Sequence, residues 1–303
     1  MLSTEEVYSI IDKVAPYKPS VYLSAAEVFR RRDIMEILEY VSGKNLKTSF
    51  TTNGTLIKDK HVDVLAGMSN LRINFSIDGL KETLDENRGK GNFEKTIGVI
   101  GKLIQARGDN KYPFLNTNTT FSPDIIGNMQ ELIDYLVSIK ADYISFQHLW
   151  FTDPSKAALH KQSLENEFGI NDSGAESHII RSFSPEYLEK LSIEVERIQN
   201  KRHGVTVVVN PRMNRSQIMR YYTDLNFSRS GKCQYPWDRV LIKANGDVMF
   251  CPDEWVTEFN LGNIRNSKLA EMWNGEQARK FRKSLIENGL FPVCGRCCAI
   301  NVR

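Results

Sequence analysis

The chain has 303 residues, 41% of them hydrophobic and 25% charged, with a net charge of +3. This usage supports one large folded domain or two smaller ones and excludes a disordered chain. The basic residues are scattered apart from Arg30-Arg31-Arg32, and no apolar run reaches bilayer-spanning length, so neither nucleic acid nor a membrane is expected as a partner.

The opening, Met1-Leu2-Ser3-Thr4-Glu5-Glu6, has no basic-then-apolar pattern of a signal peptide, which predicts a cytoplasmic protein. Ser3 with Glu6 forms a capping box, and Val7, Ile10, Ile11 and Val14 share one helical face. A strand-like PSVYLSAAE follows, then a helix carrying Ile34, Ile37, Leu38 and Val41 that stops at Ser42-Gly43, then the strand LKTSFTTNG. The alternation continues through LRINFSIDG, a helix from Phe93 with Ile97, Ile100 and Ile104, FLNTNTTF, a helix around Leu132, Ile133 and Leu136, and DYISFQHLW. Residues 153 to 180 lack clear periodicity and read as a loop or lid. Ser184-Pro185 starts another helix, and VTVVVNP is a further strand. Strands alternating with helices predict a parallel sheet with crossover helices, either doubly wound or part of a (β/α) barrel.

Side-chain parity separates those two. Strands buried on both faces should be apolar on both. Here Leu71, Ile73, Phe75 and Ile77 share one face while Asn74, Ser76 and Asp78 share the other; Asn116, Asn118 and Thr120, Ser49, Thr51 and Asn53, and Ser145 and Gln147 repeat the polar pattern. A sheet packed on helices outside and polar inside predicts a partial barrel around a wet, ligand-lined cavity.

All five cysteines lie from Cys233 onward. Cys233, Cys251, Cys294 and Cys297 are the candidate ligands, and Cys298 is read as a spare thiol. Between the first two, RVLIKANGDVMFC predicts a hairpin closed by a two-residue type I′ turn at Asn245-Gly246. By count, four thiolates suit a closed zinc site or an iron-sulfur cluster equally. Trp237, Trp255 and Trp273 are expected to pack around this site and exclude water. His148, at a strand end, is a candidate working group or a core histidine.

With Cys233, Asn245-Gly246-Asp247, Cys251-Pro252, Leu261-Gly262-Asn263-Ile264, Leu269 to Asn274 and Cys294-Gly295-Arg296-Cys297, the C-terminal part resembles the SPASM or Twitch extension of radical SAM proteins. Upstream, Ser24-Ala25-Ala26-Glu27, Thr51 to Gly54, Ser76 to Gly79 and Arg88 to Phe93 fall where that family carries its barrel motifs. The resemblance implies an α/β fold: a partial (β/α)6 barrel missing its first strand, over 1–222, and a small α+β domain over 223–303. It also implies one auxiliary [4Fe-4S] cluster on the four cysteines, SAM contacts from Glu27, Asn53, Ser76, Asp78 and Arg88, and a peptide or small-molecule substrate.

Two features depart from the family pattern. No cysteine precedes Cys233, whereas the family holds a first cluster on C-x-x-x-C-x-x-C and binds SAM at its open iron. Ala25-Ala26 stands where glycines let the backbone approach the SAM amino group. The expectation is a radical SAM relative not competent for radical formation in this chain alone; the alternative is a non-catalytic subunit that binds a cluster or zinc and a partner or peptide.

Overall fold

In the computed structural model, which describes all residues except 172–173, 181, 230, 252–258, 298–299 and 302–303, the strand-like runs pair in chain order. β1 (Val21–Leu23), β2 (Thr48–Thr52), β3 (Leu71–Ser76), β4 (Phe114–Thr120), β5 (Tyr143–Gln147) and β6 (Thr206–Asn210) form one parallel sheet with β1 and β6 at its edges. The helices preceding β6 are α1 (Thr4–Val14), α2 (Ile34–Gly43), α3 (Asp59–Ala66), α4 (Lys81–Arg88), α5 (Asn92–Arg107), α6 (Met129–Ser138), α7 (Pro154–Phe168) and α8 (Pro185–Asn200). The Ser3–Glu6 capping box is formed at the start of α1.

Register places the side chains as parity requires. Phe50, Ile73, Phe75, Leu115, Ile144 and Phe146 lie on the helix-covered face, each at most 1% exposed, and each contributes about 1.5–3 kcal/mol by leaving water. In α5 the core-facing residues are Phe93, Thr96, Val99, Ile100 and Leu103. Ile97 and Ile104 are half-buried at the margin of that face, so the stripe sits slightly rotated from the expected one.

The chain packs as two compact units. One comprises Ser3–Leu149 and Glu189–Arg215 and holds the sheet; the other comprises Met1–Leu2, Trp150–Leu188 and Ser216–Arg303. These units interleave in sequence, whereas the expected division is a single cut after residue 222. In the second unit α9 (Arg215–Thr223), β7 (Lys232–Cys233), α10 (Tyr235–Asp238), β8 (Leu241–Ile242), β9 (Asp247–Met249), β10 (Gly262–Asn263), α11 (Leu269–Asn274), α12 (Glu276–Glu287) and β11 (Ile300–Asn301) follow one another. Its core is aromatic: Phe168 packs on Phe259, Phe281 and Phe291, and Phe151 on Phe183, Tyr221 and Tyr222.

Two local expectations are corrected. Most of the segment expected to be a loop is α7, capped by the Asp153 side chain on the amides of Ser155 and Lys156 and ended by Gly169 in the left-handed conformation. Its buried residues are Ala157, His160 and Leu164, too few and too mixed to make an apolar stripe. The β8–β9 hairpin is present, but its turn is not type I′. The Gly246 amide bonds Lys243 O at 2.8 Å, and positive φ occurs at Gly246 and not at Asn245. A type I turn followed by one left-handed glycine closes the hairpin, and only that position needs glycine. Among the described residues no helix is long and apolar enough to cross a membrane.

Candidate functional site

In the sheet unit, the polar residues of neighbouring strands fall in register. Thr51, Asn74 and Asn116 are paired across β2, β3 and β4, and Ser76, Asn118 and Ser145 across β3, β4 and β5. Asn116 Nδ2 donates to Asn74 Oδ1 at 2.8 Å and to Asn118 Oδ1 at 2.9 Å, and Asn74 Nδ2 donates to Phe50 O at 3.0 Å. Asn74, Asn116 and Ser145 are buried, and these amides hold one another in place at the middle of a face whose other members, Thr51, Ser76 and Asn118, are half-buried.

At the C-terminal ends of β2 and β3 a cavity of about 190 Å3 is lined by Asn53, Thr55, Ser76, Leu84, Arg88, Asn92 and Thr96. Three of the five expected SAM contacts, Asn53, Ser76 and Arg88, meet there. Asp78 is tied to the same place: Arg88 Nε donates to its Oδ2 at 2.8 Å with Nη2 on the same oxygen, and the Thr120 amide reaches Oδ1 at 3.2 Å. Asn53 Oδ1 accepts from Thr55 N at 2.9 Å and Oγ1 at 2.7 Å. The cavity is smaller than the roughly 300–1,000 Å3 of pockets that enclose whole small ligands. An amide, a hydroxyl and an ion pair stand around it.

Glu27 has a different position from the other four. It is 6% exposed, and both oxygens are engaged: Oε1 accepts from Phe29 N at 3.1 Å and Thr52 Oγ1 at 2.8 Å, and Oε2 from Asn53 N at 2.9 Å. The carboxylate ties the turn after β1 to the end of β2, which fixes where Asn53 stands. Ala25 and Ala26 are exposed beside it. His148 belongs to the core: it is 5% exposed and packs edge-on against Phe121 at 4.9 Å. Burial pushes its pKa down to about 3, so the ring is neutral at pH 7.

The four candidate cysteines all lie in the second unit, half-buried and outside any disulfide. β7 pairs antiparallel with β11, setting Cys233 against Ile300, and Ile300 N in turn bonds Cys297 O at 3.4 Å. Cys294 and Cys297 are joined by a tight turn, Cys297 N donating to Cys294 O at 2.9 Å. That turn is seated by its two middle residues. A Cβ on Gly295 would stand 2.7 Å from Phe227 O, so only glycine allows this approach. Gly295 O accepts from Arg229 N at 2.9 Å, and Arg229 Nη1 donates to Cys297 O at 3.1 Å. Cys251 lies two residues beyond β9, and the adjacent Phe250 packs edge-on against Trp273 at 5.5 Å. Trp237, by contrast, is 45% exposed and does not shield the site; Trp255 and Cys298 lie outside the described residues.

Among the described residues no three His, Cys, Asp or Glu side chains converge as around a single metal ion. The donor set, four thiols of which Cys294 and Cys297 share one docked turn, is of a kind that an iron-sulfur cluster takes.

A family model of the radical SAM superfamily matches residues 1–137, and one of the SPASM iron-sulfur cluster-binding domain matches residues 233–298. The chain carries a radical SAM domain and a SPASM domain. Radical SAM/SPASM proteins bind iron-sulfur clusters and SAM, and this chain's relatives act in heme synthesis and peptide modification. It is 27% identical to an AdoMet-dependent heme synthase of Methanosarcina barkeri, over 98% of this chain and 79% of that protein. It is 23% identical to a PqqA peptide cyclase of Rhizobium meliloti, over 98% and 71%. The fold matches Streptococcus suis SuiB bound to S-adenosylmethionine with a TM-score of 0.65 at 18% identity, over 95% of this chain and 64% of that one. SuiB bound to its precursor peptide SuiA matches with a TM-score of 0.62. The chain thus spans just under two thirds of SuiB's length.

Sequence reasoning missed Thr55, Leu84 and Thr96 of the cavity, carried Asn92 only within the Arg88 to Phe93 stretch, and missed Arg229 on the Cys294–Cys297 turn. Thr96 donates from Oγ1 to Asn53 O at 2.6 Å, a partnership across 43 residues that no local pattern marks.

Proposed function

We propose that this radical SAM/SPASM chain serves SAM-dependent radical modification of a peptide substrate, with one auxiliary [4Fe-4S] cluster on Cys233, Cys251, Cys294 and Cys297. The observation that supports the cluster most directly is the seated Cys294–Cys297 turn together with the β7–β11 pairing that brings Cys233 to it. When bound, the cluster supplies a one-electron centre with no open iron. Asn53, Ser76, Asp78 and Arg88 would receive the ribose part of SAM, and Glu27 positions Asn53.

The sheet face favours a peptide over a tetrapyrrole. Among the described residues on the polar side of the six strands, Arg72 is the one charged side chain, and it stacks over Phe114 at 4.8 Å near the opposite end of the strands from the cavity. Carboxylate-bearing macrocycles need cations around them, whereas an amide-lined face matches the donors and acceptors of a peptide backbone.

Residues 1–232 offer no thiolate for a SAM-binding cluster. Deoxyadenosine is therefore expected to be absent when the reconstituted 303-residue chain is incubated with SAM and dithionite, and to form once a polypeptide carrying C-x-x-x-C-x-x-C is supplied with it. Release by the chain alone contradicts the first part of this reading, and no release with the added segment contradicts the radical function.

A further inference from the structure

Resting on the peptide reading above, we infer that Arg72 is the substrate-specificity residue of the sheet face. It takes one carboxylate of the peptide, from an aspartate or glutamate side chain or from the C terminus. Register divides the polar face into two bands. Toward the C-terminal ends of the strands stand amides and hydroxyls, Thr51, Asn74 and Asn116 in one row and Ser76, Asn118 and Ser145 in the next. The row at the other end is Ser49, Arg72 and Phe114, with Tyr143 packed beside Phe114 at 6.5 Å.

The Arg72 guanidinium lies over the Phe114 ring at 4.8 Å. That contact places the group but leaves its N–H donors available: among the described residues Arg72 makes no hydrogen bond and no ion pair. Arg31, Arg88, Arg107 and Arg215 of the same unit are each paired with a carboxylate. Amides and hydroxyls along the face meet groups that every peptide backbone carries, so they do not distinguish one sequence from another. A single cation among them does, and it matches a single anion through charge-assisted hydrogen bonds. Arg72 stands four residues before Ser76, about 13 Å along a strand rising about 3.3 Å per residue. It therefore grips the peptide away from the cavity and acts on binding rather than on chemistry.

The test uses the full chain, reconstituted anaerobically and immobilised, against a synthetic random peptide library made with free and with amidated C termini. Retained peptides are sequenced by mass spectrometry. Wild type is expected to enrich peptides carrying Asp or Glu about tenfold over the input, or to enrich free over amidated C termini by as much if the terminus is the source. Arg72→Gln should lose the enrichment, and Arg72→Glu should favour Lys and Arg instead. Arg72 is exposed, so neither change disturbs folding much. Lys13→Glu makes the same charge change as R72E on α1, which packs against Val21 and Leu23 on the opposite face, and should behave as wild type. Peptides retained without carboxylate enrichment, enrichment that survives in R72Q, or a loss in K13E equal to that in R72E overturns this inference and leaves the peptide reading standing. A wild-type chain that retains no peptide overturns both.

Discussion

The sheet unit and the cysteine unit build their sites by opposite means. In the first, strand register does the work: polar residues two apart on neighbouring strands land side by side, and one buried carboxylate, Glu27, fixes the end of β2. In the second, where the strands are two or three residues long, the site is held by a turn pressed onto backbone and by arginines clamped on carbonyls. A register-built site tolerates the loss of one side chain better than a turn-built one, because neighbouring strands still hold the rest.

The sharpest test of that contrast is Cys294→Ala, expected to lose most of the bound iron on anaerobic reconstitution, while Ser76→Ala in the sheet leaves iron content unchanged; equal iron in both variants breaks the comparison. Next comes Glu27→Gln, which replaces a carboxylate accepting three donors with a group that presents its own N–H to them. A loss of about 1.5–3 kcal/mol is expected from urea denaturation, without loss of iron. Gly295→Ala forces a Cβ against Phe227 O; overpacking of this kind costs about 1–3 kcal/mol, and here it should be accompanied by reduced iron uptake, which separates it from E27Q.

The smallest effect concerns His148. Its folded pKa of about 3 lies below the ordinary 6.5, so between those values the unfolded chain binds a proton that the folded chain does not. Stability should therefore fall as pH drops through that window, more in the wild type than in His148→Gln. By NMR the ring should show no titration through the neutral range. A midpoint near 6.5 would place it in water and remove it from the core.

What was legible follows the same division. The period-two pattern in LRINFSID and FLNTNTTF marked the polar face because strand parity is a local property, and every one of the six strands was readable from its own residues. That the four cysteines fall in one unit was legible from their spacing. Their setting was not: Arg296 meets Tyr221 and Asp224 across more than 70 residues, and Gly295 meets Phe227 O, contacts with no sequence period. α7 was missed because its buried face combines Ala157, His160 and Leu164, although Asp153-Pro154 and Gly169 carry its start and stop signals. The turn at Asn245-Gly246 was misjudged in type because the strands end one residue earlier on the β8 side than a two-residue loop requires.

Metal analysis of the anaerobically reconstituted chain, with its visible spectrum, tests the central claim most directly. A brown protein holding about four irons and four sulfides, abolished when Cys233, Cys251, Cys294 and Cys297 are replaced together, is the expected result. A colourless protein with one zinc, or iron that survives the loss of all four thiols, would contradict it.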